Sequence, residues 1–162
     1  MKKNTWLWII GISALLALIW FASASTREGT ATKRTNREIA MSCMTHESDT
    51  FHIHPTLSIM VNGEPIVVPA DIGITPGCMR AIHTHTPDGI IHIESNEPRD
   101  FTLADFFANW EKPFSATQIL EHVADDTHRI RMTVNGAEVD TFENTILRDK
   151  DQIVIYYEPV TP

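Results

Sequence analysis

The sequence has little positive charge: 13 lysines and arginines stand against 21 acidic residues, for a net charge of −8 with neutral histidines. All the acidic residues but only 11 of the basic ones follow Ala24, so that part carries −10. A surface of this sign repels the phosphate backbone, which makes nucleic acid a poor candidate partner. The sequence also lacks a glycine-rich phosphate loop, a nucleophile elbow and a zincin helix, so these common enzyme motifs do not indicate its function.

Only one long hydrophobic run is present, from Trp6 to Ala22, and it follows a basic start. This order is typical of an export signal. The run is just long enough to cross a bilayer and carries tryptophans near both ends, so we expect residues 1–24 to be a retained single-pass membrane anchor. Ala-Ser-Ala at 22–24 resembles a cleavage site and keeps removal of the segment as the alternative. In either case the rest of the chain is expected outside the cytoplasm.

Two regions follow this segment. Residues 25–40 are polar and show no apolar period, so they are interpreted as a flexible tether. Residues 41–162 are the predicted exported domain, which contains the two cysteines of the chain, Cys43 and Cys78. In an oxidising compartment these cysteines either form one disulfide or serve as metal ligands.

Strand signals dominate the predicted domain. Asn62-Gly63 and Asn135-Gly136 each lie between two apolar runs, and each pattern predicts a β-hairpin. The run at 151–158 is rich in β-branched and aromatic residues and predicts a final strand.

Two short helices are predicted between the hairpins. Thr102 with Asp105 and Ser115 with Gln118 have the spacing of capping boxes, which predicts helices over 102–110 and 115–124. Pro113 separates them. The order of strands, helices and strands predicts an α+β fold rich in β-hairpins.

The carboxy-terminal part resembles the small β-grasp sulfur carriers. In those proteins, as in residues 132–160 here, a Val-Asn-Gly hairpin is followed by a Leu-x-Asp-x-Asp turn and a last strand. The resemblance implies a β-grasp-like topology for this part. The carriers end in Gly-Gly, whereas this chain ends in Glu-Pro-Val-Thr-Pro, so the resemblance does not imply carrier chemistry.

Three histidines and a glutamate surround a Pro-Asp-Gly turn. With a two-residue turn at Asp88-Gly89, His85 lies opposite His92 and His83 opposite Glu94, and all four side chains share one face. A four-residue loop would instead pair His83 with His92 and still keep the histidines on one face. Opposed Cβ atoms in a hairpin are about 4.5–5.5 Å apart, which allows two imidazoles to reach one ion.

A second histidine pair lies upstream, where His52 and His54 share one face of a predicted strand. We therefore predict a metal site in the exported domain, formed by the histidines of the two pairs and of the second hairpin strand. Its candidate ligands are His52, His54, His83, His85, His92, Glu94, Cys43 and Cys78. His122 and His128 lack ligand spacing and are interpreted as surface residues.

The types of donor atom in these segments indicate which metal the site is expected to bind. Thiol and thioether groups at 41–46 and 77–79 lie beside the histidines and suit copper, particularly Cu(I), whereas imidazoles with a carboxylate such as Glu94 or Asp88 suit zinc. We expect copper rather than zinc. The expected function is copper capture or delivery by a membrane-tethered protein outside the cytoplasm, with a metalloenzyme or metal transporter as partner. The alternative is a zinc enzyme in which three histidines hold the ion and an open position activates water.

Two further resemblances concern the histidine segments. Residues 77–85 and 87–96 fit the two cupin motifs, but these motifs lie on separate strands in cupins and abut here, which excludes the usual cupin arrangement. Residues 52–63, 68–79 and 83–95 together resemble a family of exported, membrane-anchored, His-rich prokaryotic proteins. That resemblance implies a shared His-rich site and no particular reaction.

Overall fold

The structure is a computed structural model that describes residues 33–44 and 50–160. Within these ranges no helix is long and apolar enough to cross a membrane. The predicted anchor at 1–24 lies outside the described residues. The chain divides into two units, 1–33 and 34–162, and the elements below belong to the second.

The described residues contain two α-helices, a short 3₁₀ helix and thirteen strands. The helices are α1 (Asn36–Ala40) and α2 (Leu103–Trp110), and the 3₁₀ helix is Phe142–Asn144. The strands are β1 (Phe51–Ile53), β2 (Thr56–Val61), β3 (Glu64–Ile66), β4 (Ile74–Thr75), β5 (Cys78–Met79), β6 (Ile82–His83), β7 (His92–Ser95), β8 (Phe114–Ser115), β9 (Gln118–Ile119), β10 (His122–Val123), β11 (His128–Val134), β12 (Ala137–Val139) and β13 (Gln152–Pro159). The predicted α+β class is confirmed.

A mixed five-stranded sheet, with strand order β12-β11-β13-β2-β3, forms the centre of the domain. Both predicted hairpins are confirmed: β2 pairs with β3 and β11 with β12, and Asn62 and Asn135 adopt positive φ angles of 51° and 53° at the turns. The predicted last strand is also confirmed as β13. It lies between the hairpins, antiparallel to β11 and parallel to β2.

Helix α2 confirms the first of the two predicted helices. Its capping box joins Thr102 and Asp105 as the sequence indicates, and Phe106 and Phe107 are buried in the core. The buried amide of Asn109 donates to the carbonyl oxygens of Ala40, 3.1 Å away, and Ile82, 2.9 Å away. The helix is thereby joined to α1 and to the strand that begins the histidine hairpin.

The second predicted helix is wrong, because residues 114–123 form the short antiparallel strands β8, β9 and β10. The hydroxyl of Ser115 accepts a hydrogen bond from the backbone N–H of Thr117 and so closes a turn instead of capping a helix. The buried apolar side chains of the segment are the adjacent Ile119 and Leu120, and Leu120 has a positive φ of 53°. Neither feature fits a helix that buries one face.

The folded domain also begins earlier than residue 41. Residues 36–40, assigned to the tether, form α1, which starts with a capping box between Thr35 and Glu38 and ends with the fully buried Ala40. Arg37 Nε lies 2.9 Å from Asp105 Oδ1 on α2. A five-residue helix is too short to show an apolar period, and its supporting contacts come from residues distant in the sequence.

Candidate metal centre

A second, three-stranded sheet with the order β1-β7-β6 carries the predicted ligands. His52 pairs with Glu94 across β1 and β7, and His83 pairs with His92 across β6 and β7. Ile82 and Ile93 are fully buried in the core. Because side chains alternate along a strand, the isoleucines of this sheet lie in the core and the histidines are brought together on the other face.

The observed register is that of the four-residue loop, so the preferred pairings of His85 with His92 and His83 with Glu94 are wrong. The residues after the turn pair with the start of β2 instead: Leu57 N–H donates to the Gly89 carbonyl at 2.8 Å, and Thr56 bridges Ile90. These contacts draw the turn away from a tight hairpin. The histidines still share one region, as both alternatives required.

Five imidazoles form two groups of three that share His92. In the β6 trio, made of His83, His85 and His92, one possible ligand atom of each residue lies within 4.8 Å of the others. The β1 trio, made of His52, His54 and His92, meets the same limit. These clusters are able to hold a metal ion.

Two nitrogens of the β6 trio are as close together as two ligands of one metal ion. His83 Nε2 and His85 Nε2 are 3.1 Å apart. Two nitrogens bound to one tetrahedral ion lie about 3.3 Å apart, because each metal–nitrogen bond is about 2.0–2.1 Å. The ring centroids of His83 and His85 lie 5.5 Å and 4.6 Å from that of His92. Little rearrangement is needed for these imidazoles to surround an ion.

The β1 trio is held by a contact from the turn that precedes β13. His54 follows β1, and its backbone N–H donates to Asp149 Oδ1 at 3.0 Å. The His54 ring centroid lies 4.4 Å from that of His52 and 4.7 Å from that of His92. Asp149 is a residue that sequence reasoning missed, and it was not recoverable from a local pattern because it lies 95 positions from His54.

The tautomer of His83 is set by the backbone. With its proton on Nδ1, this ring donates to the carbonyl oxygen of Arg80 at 2.9 Å, so Nε2 is the unprotonated nitrogen, which accepts from His85 Nε2 at 3.1 Å and is the atom that a metal would use. Arg80 is itself positioned, because its N–H donates to the Gly73 carbonyl and its backbone bridges Cys43. Arg80 has no ligand-type side chain, and its role depends on its backbone carbonyl, so no sequence pattern indicates it.

Glu94 lies beside both trios and belongs to neither. Its side chain is 1% exposed, and Oε1 lies 3.3 Å from His52 Nε2 and 3.8 Å from His83 Nε2. Among the described residues Oε2 has no hydrogen-bond partner. A buried carboxylate in this state is unfavourable unless positive charge lies close to it. A cation held by the neighbouring imidazoles would supply that charge.

Two of the histidines are held in their neutral form. Burial, the largest cause, together with the neighbouring imidazoles lowers the pKa of His83 to about 4 against the opposing effect of its hydrogen bond to Arg80. Burial and the surrounding histidines likewise lower the pKa of His92 to about 4. Both imidazoles therefore have one unprotonated nitrogen at neutral pH, as metal binding requires.

Cys43 and Cys78 form a disulfide with their Cα atoms 5.1 Å apart. This is one of the two alternatives that the sequence left open, and it removes both residues from the set of thiolate ligands. The bond joins the residues after α1 to strand β5, five positions before His83. The cysteines therefore support the centre and do not contribute donors to it.

His122 and His128 lie outside both trios. Their rings contact the ring of Tyr157, with centroids 5.0 Å and 4.7 Å away.

Comparisons of the chain with known protein families, curated proteins and solved structures give no match. The function is therefore inferred from the site itself.

Proposed function

We propose that this protein binds a divalent transition-metal ion through the cluster of His52, His54, His83, His85 and His92. The observation that carries the proposal is the pair of three-histidine groups meeting at His92. Imidazole nitrogens at these separations bind transition metals, whereas magnesium and calcium prefer oxygen ligands. The buried, partly unpaired carboxylate of Glu94 supports the binding of a cation.

Copper, as Cu²⁺, is the ion we favour. The argument for Cu(I) rested on thiol and thioether donors, and the disulfide between Cys43 and Cys78 removes the thiols. A site of imidazoles remains, and such sites bind Cu²⁺ more tightly than Zn²⁺ in the usual affinity order of divalent ions. Zinc is the second candidate.

The setting we propose is a single-pass membrane tether with the metal centre outside the cytoplasm. The basic start and apolar run of residues 1–24 support it, and so does the resemblance to exported His-rich proteins. His52 and His85 are exposed, so a partner metalloenzyme or transporter can reach the ion, as capture and delivery require. A net charge of −10 after Ala24 attracts cations to this surface.

We also propose a β-grasp-like sheet for this domain. Its support is the position of β13, parallel to β2 and placed between two hairpins.

The test is direct metal binding by the full-length protein, purified in detergent and stripped of metal. Titration with Cu²⁺ and Zn²⁺ is compared between the parent, the double variant His85→Ala/His92→Ala and the matched control His122→Ala/His128→Ala. We expect about one tightly bound ion in the parent and control, and a loss in the double variant greater than the roughly 10–100-fold that outer partners of a metal site cause. Equal affinity in all three proteins would contradict the assignment.

A zinc enzyme is the alternative function, and the position of Glu94 favours it. In this proposal the β6 trio holds zinc and Glu94, with Oε1 3.8 Å from His83, acts as general base toward a zinc-bound water. Hydrolysis of an activated ester by the zinc-loaded protein, lost in Glu94→Gln at unchanged zinc content, would support this alternative. Equal rates for parent and variant would exclude it.

A further inference from the structure

The two trios differ in the burial and fixation of one outer member each, His52 and His83. In the β1 trio, His52 is exposed and its Nε2 faces Glu94, with a side chain 36% accessible to solvent. In the β6 trio, His83 is fully buried and its tautomer is fixed by the Arg80 carbonyl. A ligand fixed in the correct tautomer and orientation binds a metal more tightly than one that must reorganise.

His92 is common to both groups. Its ring centroid lies 4.7 Å from that of His54 and 4.6 Å from that of His85. His92 offers one ligand atom to each trio. Where that atom is the same ring nitrogen, an ion at one position excludes an ion at the other.

Glu94 is placed to stabilise an ion in either position. Its Oε1 lies within 4 Å of one imidazole from each trio, His52 at 3.3 Å and His83 at 3.8 Å. The negative charge therefore remains close to the ion during any movement between the trios.

We propose that the trios are successive positions for one ion, which enters at the β1 trio and comes to rest in the β6 trio while His92 remains bound. This inference rests on the proposed metal-binding function. Two metal–nitrogen bonds, to His52 and His54, break, and two form, to His83 and His85, without a change in oxidation state. Where Nε2 of the exposed His85 carries a proton, that proton passes to Nδ1 through solvent.

The test separates the rate of loading from the affinity, using Cu²⁺ and the full-length protein in detergent. Competition with a chromophoric chelator gives the dissociation constant, and stopped-flow mixing gives the loading rate. His54→Ala represents the entry position, His85→Ala the resting position, and His122→Ala is the control. Thermal unfolding verifies that each variant is folded, and His52→Ala replaces His54→Ala if the latter does not fold.

We expect one ion per chain in the parent. His54→Ala is expected to slow loading at least about tenfold and to weaken binding much less than His85→Ala does, whereas His85→Ala is expected to weaken binding at least about tenfold and to slow loading much less than His54→Ala does. Two ions per chain, equal losses of affinity in both variants, or parent-like loading of His54→Ala would overturn the proposal. Such outcomes leave the metal-binding function intact, whereas absence of binding by the parent would overturn both.

Discussion

Glu94 combines full burial with an incomplete set of polar partners among the described residues. Its carboxylate is buried, contacts His52 and His83, and leaves Oε2 without a hydrogen-bond partner among the described residues. Polar groups in this condition are often retained for binding and not for stability. The Glu94 carboxylate is thus expected to strengthen metal binding and to lower the stability of the fold.

Glu94→Gln is expected to weaken Cu²⁺ binding about tenfold, because it removes the negative charge beside two ligands. The metal-free variant is expected to be more stable by about 1 kcal/mol, since an amide is less costly to bury than a charge. Metal titration and urea unfolding measure the two effects, with Glu64→Gln on the exposed edge strand β3 as control. Unchanged affinity would show that Glu94 has no part in the site.

The lowered pKa values of His83 and His92 predict a pH dependence for the metal-free protein. The folded state binds fewer protons than the unfolded chain between about pH 6.5, the ordinary histidine pKa, and about pH 4. The free energy of unfolding therefore falls as the pH falls through this window, by about 3 kcal/mol for the buried His83. Above pH 6.5 this contribution is fully present.

Urea unfolding of metal-free protein between pH 7 and pH 5 checks this dependence. His92→Gln is expected to show a shallower decline because it removes one of the two groups, whereas His122→Gln should follow the parent. A parent stability that stays constant over this range would contradict the assigned protonation states.

At the scale of elements, local patterns were reliable where the structure depends on neighbouring residues. The two Asn-Gly turns and the Thr102 to Asp105 capping box each depend on residues close in the sequence, and all three are present. Ser115 and Gln118 have the same spacing, but Ser115 forms a turn with Thr117. A capping pattern predicts a helix only when the following apolar residues bury one face.

The histidine site was foreseeable because period-two spacing keeps its members on one face in either register. The register was not, because it depends on Gly89 and Ile90 pairing with β2, about thirty positions earlier in the chain. The same limit applies to the supporting groups, Arg80 and Asp149, whose partners are set by the tertiary fold. Ligand types can be read from the sequence, whereas the surrounding contacts require the structure.

Gly89 permits the register that pairs His83 with His92, because its backbone packs closely against Leu57 on β2. A substitution at Gly89 tests this contact. Gly89 has a φ of +79°, and a Cβ added there would lie 2.3 Å from the Leu57 carbonyl oxygen. Gly89→Ala is therefore expected to destabilise the protein by about 3 kcal/mol and to weaken metal binding by displacing His92.

Gly63→Ala is the matched control, because Gly63 has a similar φ of +87° and open space around it. Its expected effect is about 1 kcal/mol from backbone strain alone, without a change in metal affinity. Urea unfolding and metal titration distinguish the two variants, and equal effects would show that the contact with Leu57 does not matter.

For the whole molecule, we predict that the chain remains membrane-bound through residues 6–22 with the domain outside the cytoplasm. The apolar length and the flanking tryptophans motivate this prediction. Fractionation and amino-terminal sequencing check it. A soluble protein that begins at Ser25 would show that the segment is a cleaved signal.

The disulfide connects the stability of the whole domain to the metal centre. Cys43 and Cys78 are separated by 35 positions, and removing a cross-link of that length is expected to destabilise the domain by about 4 kcal/mol. Cys43 also bridges Arg80, whose carbonyl accepts the Nδ1–H of His83. Loss of the bond is therefore expected to loosen a ligand as well as the fold.

The double variant Cys43→Ser/Cys78→Ser tests both effects. Zinc is the suitable probe because it has no redox chemistry, and the reductant used with it must contain no thiol, since thiolates bind zinc. Zinc affinity is expected to fall about tenfold, since His83 loses part of its backbone support. The parent treated with reductant should show the same loss if the open bond is the cause, while reductant should leave the double variant unchanged. A double variant that is less stable but binds zinc as the parent does would confine the disulfide to a structural role, because the position of Arg80 would then be independent of it.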